Sequence, residues 1–324
     1  MTVLILTDER DWTGDRVAVE LAGRGVPAVR LDPADFPTRV SLTAGIGTAW
    51  SWSGSIVDRE AGRDLVQLDD VRAVYYRRPT QFRLPEGMSG PEQVFAYREA
   101  RRGFGGVLQA LRHCLWLNDP IAAARTEYKP VQLEAASACG LTIPETLITS
   151  DPQRAYNWAT NLGQPIIYKP MGSVWHADEN QLRMLYTAEV TDLQELLEPG
   201  LARTAQMFQE KVPKEFEARA VVVGQEVFAV RIDAGSESAR GDWRSDYDAL
   251  SYSDLELPPD LCSALVELHE RLGLVFGAVD LIHDTAGRWV FLETNQNGEW
   301  GWLTAETGAP IAETVADLLE KGVA

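Results

Sequence analysis

The sequence predicts an α/β protein of at least two parts, opening on a parallel sheet. Three observations predict this. Residues 3–7 form a short apolar run, a helical pattern covers about 14–25, and residues 26–31 resume as a strand. A β-α-β opening of this kind closes on a parallel pair. Further strand and helix patterns alternate to the carboxyl end. Charge divides the chain near residue 115. Of 324 residues, 30 are Lys or Arg and 48 are Asp or Glu, giving a net charge of −18. Residues 1–115 hold 15 of each sign, so residues 116–324 carry the whole excess.

The elements follow in order. Residues 40–44 and 51–56 read as a small hairpin with Trp50 and Trp52, and residues 71–77 as a strand ending in Tyr75-Tyr76-Arg77-Arg78-Pro79. A long helix pattern over about 91–114 leads to a short strand at 115–117, closed by Asn118-Asp119-Pro120. One helix is expected from about 122 to 139, a strand at 146–149, a helix to 162, and a strand at 165–169 before a loop with Gly172 and Ser173. A short strand at 184–187, a helical turn at 192–197 and strands at 205–212 and 218–223 come next. Residues 226–233 pair back across the Gly224-Gln225 turn. Residues 235–254 lack periodicity and read as a loop. A helix at 259–272, strands at 276–283 and 288–293, and a helix at 310–319 complete the chain.

Composition excludes several classes. An acidic chain without a basic stripe does not suit phosphate neutralisation, so nucleic acid is not expected as a partner. A polybasic membrane anchor is excluded on the same ground. No apolar run reaches the roughly 18–20 residues of a membrane span. The amino terminus lacks the basic region and cleavage site of a secretory signal. Cys114, Cys139 and Cys262 are odd in number and widely spaced, and read as buried, inert thiols. A cytoplasmic protein is the expectation.

The sharpest chemical signal is Val290-Phe291-Leu292-Glu293-Thr294-Asn295. Alternation on a strand puts Phe291, Glu293 and Asn295 on one face and Leu292 and Thr294 on the other. The preceding strand bears one carboxylate, Asp280, among apolar neighbours, and such a group needs a partner. Asp280, Glu293 and Asn295 form an all-oxygen set suited to Mg²⁺, which takes the rest of its shell from water and substrate phosphates. Exposed polar residues at strand ends would show the same pattern. Lysine is scarce, with only Lys129, Lys169, Lys211, Lys214 and Lys321. Lys169 ends a strand before a glycine-containing loop, where an ammonium and loop N–H groups can hold a phosphate. Lys129 opens a helix. Phe208-Gln209-Glu210-Lys211-Val212-Pro213 ends a strand at a proline. Glu217 and Arg219 share a face of the next strand, with Arg231 on its hairpin partner. An exposed ion pair on a strand fits that spacing equally.

This order resembles the ATP-grasp superfamily over about residues 118–316. The narrower likeness is to the ATP-grasp ribosomal-peptide maturases, the graspetide (microviridin-type) macrocyclases. It is carried by Tyr76-Arg77-Arg78-Pro79, Leu117-Asn118-Asp119-Pro120, Lys129-Pro130-Val131-Gln132 and Glu293-Thr294-Asn295-Gln296-Asn297-Gly298-Glu299-Trp300-Gly301-Trp302. Two positions depart from that pattern: Glu217-Ala218-Arg219 where Asp-x-Arg is commoner, and Gln296 where many relatives have Pro. The resemblance implies an ATP-grasp fold with a pre-ATP-grasp domain at 1–117, a central subdomain at 118–200 and a carboxyl-terminal subdomain with the Mg²⁺ site at 201–324. It implies that Lys129, Lys169, Gly172 and Ser173 meet the nucleotide phosphates. Gln209, Glu210 and the backbone to Val212 would read adenine, and Glu217 the ribose. Asp280, Glu293 and Asn295 would hold two Mg²⁺ ions.

The implied reaction is ATP-dependent ligation within a precursor peptide made of leader and core. A side-chain carboxylate becomes an acyl phosphate and a Ser or Thr hydroxyl, or a Lys amine, closes the ring. Arg219, Arg231 and Arg244 are the candidates to steady the carboxylate and the transferring phosphoryl group. Arg77 and Arg78 either reach the cleft or form a salt-bridged domain interface. A homodimer is expected by likeness. Two other readings stand beside this one: a ligase adding a free amino acid to an acceptor, and an ATP-binding scaffold without catalysis.

Overall fold

The opening strand is apolar on both faces because both are covered. In this computed structural model residues 1–48, 51–172, 175–178, 181–184 and 186–323 are described, 175–178 and 181–184 as backbone alone. β1 (Thr2–Thr7) is followed by α1 (Trp12–Gly23), β2 (Ala28–Leu31), β3 (Val40–Ile46), β4 (Trp52–Asp58), β5 (Arg63–Gln67), β6 (Val71–Arg78), α2 (Gly90–Gln109) and β7 (Leu115–Leu117). A parallel sheet runs β2-β1-β6-β7, and β3-β4-β5 form a separate antiparallel sheet. Leu4 and Leu6 face Phe104 and Leu108 of α2 and Ile56 and Val66 of the small sheet. Val3 and Ile5 face Val17 and Leu21 of α1. The expected hairpin is thus the first part of a three-stranded unit, and Trp50 lies outside the described residues.

The middle of the chain gives α3 (Pro120–Thr126), α4 (Lys129–Ala138), β8 (Thr146–Thr149), α5 (Pro152–Leu162), β9 (Ile166–Tyr168), the β10 (Trp175–Asp178) and β11 (Gln181–Met184) hairpin, β12 (Ala188–Glu189) and β13 (Gln206–Glu210). One helix was expected where α3 and α4 stand. Pro130 has no N–H to continue a helix from α3, but proline is well placed in the first turn of a new one. The break puts Lys129 at the first position of α4. Of the short strand expected at 184–187, Met184 ends β11, residue 185 lies outside the described residues, and β12 begins only at Ala188.

The carboxyl part is built on an antiparallel sheet, order β16-β15-β14-β17-β18. Its elements are β14 (Lys214–Val223), β15 (Glu226–Ala234), α6 (Glu237–Gly241), β16 (Leu250–Asp254), α7 (Pro259–Leu272), β17 (Phe276–Asp284), β18 (Trp289–Asn295), α8 (Gly301–Thr307) and α9 (Ile311–Lys321). The region expected as a loop, 235–254, is ordered into α6, two short 3₁₀ turns and the edge strand β16. α8 carried no signal in the sequence reading. Ala220, Val222, Val279 and Leu281 pack on Leu133 of α4 and Leu265 and Leu268 of α7. Among the described residues, no helix is long and apolar enough to cross a membrane.

The other face of that sheet joins the amino-terminal part. Val221, Val223, Phe276 and Ala278 share one buried cluster with Val3, Ile5, Tyr75 and Leu117, and with Trp300, Ile311, Val315 and Leu319. Apolar packing therefore crosses residue 117 without interruption. Asn118 ties the crossing point: its amide donates to the Phe276 and Gln296 carbonyls at 2.8 and 3.0 Å and accepts from the Val275 and Phe276 N–H groups at 2.7 and 2.9 Å. Asp119 caps α3. Arg77, 1% exposed, meets Asp11 at 2.8 Å and Glu299 at 2.9 Å. Glu299 also accepts from Thr13 at 2.7 Å and pairs with Arg78 at 2.5 Å. These arginines form salt bridges that join the amino- and carboxyl-terminal parts, and they do not line the cleft described below. The three cysteines are free and half-buried, not fully buried, and burial raises the Cys114 thiol to about 11, which keeps it protonated.

Two outcomes follow from this packing. Arg77→Met strands Asp11 in the core and is expected to lower unfolding free energy by about 3–5 kcal/mol in denaturant titration. His269 is 1% exposed and bonded to the Leu265 carbonyl and Thr294 hydroxyl, and burial depresses its imidazole to about 4. Unfolded chains bind the proton near 6.5, so stability falls as pH drops from 6.5 toward 4, by up to about 3 kcal/mol. His269→Gln should flatten that part of the stability–pH curve.

Candidate active site

Strand register gathers the acidic residues. Arg219 of β14 lies opposite Asp280 of β17, which lies opposite Glu293 of β18, in one row across the sheet. Residues alternate in facing, so Glu217 and Arg219 point away from the α4 and α7 side while Ala218 and Ala220 fill the core there. Phe291 was expected to share the face of Glu293, but it is buried with Leu281 and Leu265 on the opposite side. A bulge is the reason: Asp280 pairs with Glu293 and Leu281 with Phe291, leaving Leu292 as the extra residue.

The free edge of β18 is held by a side chain. Gln132 of α4 accepts from the Thr294 N–H at 2.9 Å and donates to the Thr294 carbonyl at 3.0 Å, mimicking a neighbouring strand. Thr142 accepts from the Phe291 N–H at 2.8 Å. This fixes the backbone on both sides of Glu293. The burial of Gln132 among apolar residues of α4 was the signal for a structural role.

Glu293 is the convergence point. Lys129 contacts its Oε2, Lys169 lies 3.2 Å from the same oxygen, and Arg244 approaches Oε1 at 3.6 Å. Burial would raise this carboxyl. Lys169, Lys129 and Arg244 outweigh burial and hold it well below the usual range. Burial and Lys169 depress the Lys129 ammonium, with Glu293 opposing. Arg219 meets Asp280 at 2.5 Å. Arg244 is fixed by a two-pronged contact with buried Asp242, at 2.9 and 3.0 Å. Glu217 contacts Lys214, and burial still leaves its carboxyl above the usual value.

Apart from Lys129 and Arg219, which stand behind its wall, these groups line a cleft of about 730 Å³. Its wall includes Lys169, Gln209, Glu210, Val212, Glu217, Arg244, Asp280 and Glu293. Gln209 is 1% exposed and donates to the Thr146 hydroxyl at 2.9 Å. Asn295 is exposed next to the row and caps its own turn by accepting from the Asn297 N–H at 3.0 Å. Gly172 lies at the start of the loop after β9, and Ser173 falls outside the described residues. Arg231 is not brought to this face. It lies opposite Ala218, forks onto Asp233 at 2.7 Å and stacks 3.9 Å from the Phe216 ring centre. A hairpin partner of the Glu217 strand was expected to share its cleft, but register puts Arg231 on the far side.

The donor set suits Mg²⁺. Among the described residues no group of three or more His, Cys, Asp and Glu side chains gathers as for a protein-only metal cage. Two register-paired carboxylates and an amide oxygen on one face leave most of a shell to water and phosphate, as this ion prefers.

Comparison with known proteins agrees with this architecture. Residues 2–124 match the family model for the MvdD pre-ATP grasp domain. No curated protein matches the sequence. Macrocyclase MdnB from Microcystis aeruginosa is 30% identical, with 98% of each chain covered and a TM-score of 0.79. Macrocyclase MdnC from the same organism, solved with precursor peptide MdnA, is 29% identical over 99% of this chain and all of that one, TM-score 0.84. A RiPP-associated ATP-grasp ligase of Chryseobacterium gregarium, solved with ADP and a leader and core peptide, is 27% identical over 100% and 97%, TM-score 0.90. Likeness that runs end to end in both chains, at 30% identity over 98% of each for MdnB, leaves little of the molecule outside the pattern: the chain belongs to the ATP-grasp macrocyclases of ribosomal-peptide maturation.

Proposed function

We propose that this protein is an ADP-forming ligase that activates Asp or Glu side chains of a precursor peptide and closes ω-ester or ω-amide rings. The observation that carries the reading is the convergence of Lys129, Lys169 and Arg244 on Glu293, beside the Arg219–Asp280 pair, at the wall of a nucleotide-sized cleft. Three cations around one carboxylate leave positive charge for a polyanion. The Chryseobacterium ligase was solved with ADP and peptide, and MdnC with its precursor, so nucleotide and peptide are the substrates this fold takes elsewhere.

In this reading Lys129 and Lys169 turn from Glu293 to the ATP phosphates, while Asp280, Glu293 and Asn295 hold two Mg²⁺ ions. The ions supply charge neutralisation at the phosphates. Gln209, Glu210 and the Val212 backbone seat the adenine, Glu217 the ribose, and Gly172 and Ser173 the phosphate loop. The substrate carboxylate oxygen attacks the γ-phosphorus and ADP leaves. The hydroxyl or amine of the same peptide then attacks the acyl carbon, its proton passes to solvent, and phosphate leaves. Arg219 and Arg244 stabilise the charge that develops at both steps, so catalysis is positioning and electrostatics. Arg231, on the far face, has no part in it. Domains at 1–117, 118–200 and 201–324, a cytoplasmic setting and a homodimer complete the reading. The intact acidic row speaks against a scaffold without catalysis.

Turnover is read as ATP-dependent loss of one water per ring from a cognate precursor peptide. Glu293→Gln is expected to slow it by about a hundredfold or more; full turnover would remove the metal role. Lys169→Ala is expected to weaken ATP binding roughly 10- to 100-fold in calorimetry, and unchanged affinity would sink the phosphate contact.

A further inference from the structure

An aromatic group borders the site and is not needed by the nucleotide reading. Tyr252 of β16 lies opposite Ile232 of β15, which lies opposite Glu217 of β14, so Tyr252 faces the same side as Glu217 and Arg219. Trp302 of α8 packs on Tyr252 with ring centres 4.8 Å apart, and Trp243 stands 6.1 Å from Trp302. Trp243 also lines the cleft and immediately precedes Arg244. Tyr247 meets Trp243 edge-on at 5.7 Å. It is 59% exposed, and it lies within electrostatic reach of Arg244 and Arg219.

Core packing accounts for only part of this group. Trp300, two residues before Trp302, is fully buried, whereas Trp243, Tyr252 and Trp302 are half-buried and only lean on the core. From the cleft wall the rings continue outward to Tyr247. A large aromatic left open next to two catalytic arginines keeps apolar area in water at a cost unless something covers it.

We propose that Trp243, Tyr247, Tyr252 and Trp302 form a peptide subsite that receives an aromatic or aliphatic side chain flanking the carboxylate to be activated. The inference rests on the peptide-ligase reading. Its logic is continuity: the arginines fix the carboxylate, and a neighbouring residue of the same extended peptide falls within a few ångströms of it, against the rings. Aromatic contact there would set which carboxylate of several is presented, a choice that the arginines alone cannot make because every carboxylate looks alike to them.

The probes are N-acetyl-Phe-Glu-amide and N-acetyl-Ala-Glu-amide, titrated by ligand-observed NMR into protein with saturating Mg-ADP. The Phe peptide is expected to bind roughly tenfold tighter. Tyr247→Ala, at an exposed position, and Trp302→Leu, which keeps an apolar core contact, should each erase most of that preference and leave Mg-ADP affinity unchanged. Equal binding of the two peptides, or a preference that survives both substitutions, overturns the subsite. Mg-ADP affinity is measured on the same samples. ADP binding without a peptide preference removes the subsite alone, and a peptide preference without ADP binding removes the nucleotide reading and keeps the subsite.

Discussion

The site depends on one buried guanidinium. Arg77 leaves the amino-terminal sheet at the end of β6 and is neutralised from two directions, by Asp11 ahead of α1 and by Glu299 in the carboxyl part. Burial disfavours its charge, and Tyr75, Glu299 and Asp11 more than offset this. The ion pairs pin the segment 295–299, which continues directly from the row bearing Glu293. Gly298, in that segment, lies so close to Ala278 and the Arg219 guanidinium that a side chain there would have to displace one of them. Parts 200 residues apart in sequence thus fix each other, and the acidic row inherits its position from a contact that never touches the cleft.

Within the site the governing term is electrostatic. Burying Glu293 alone would favour its protonated form. Surrounding it with two lysines and an arginine keeps it ionised, and under the proposed function the two lysines would turn to the phosphates once a nucleotide competes for them. This explains why two of only five lysines lie here in a chain of net charge −18. Compact ammonium groups can rotate between a carboxylate and a phosphate, whereas Arg244 is locked by its fork onto Asp242.

Much of this was legible in the sequence, for identifiable reasons. Alternation on short strands placed Glu217 with Arg219, and lone polar residues in apolar runs singled out Asp280 and Lys169. What escaped depends on non-local geometry. The Leu292 bulge, which turns Phe291 inward, is defined by a partner strand and not by β18 itself. Arg231 faces away because of hairpin register. Gln132 bonds to β18 from a residue 162 positions away in sequence. The segment 235–254 lacks a period because its turns are short, yet it delivers Arg244. Pro130 breaks the helix before α4, although the apolar pattern runs on across it.

The shared core also bears on how the molecule is made. The amino-terminal sheet emerges from the ribosome ahead of the carboxyl part with Val3, Ile5, Ala73, Tyr75 and Leu117 on one face, and the residues that cover this face include Ile311, Val315 and Leu319 of α9. Arg24 of α1 waits likewise for Asp317 and Glu320. That apolar surface stays uncovered until α9 has been synthesised, and exposed surface of this kind is prone to association. α9 therefore closes the amino-terminal part, and a ribosome that stalls before it would release a chain with the strands of the acidic row complete and its oldest core still open.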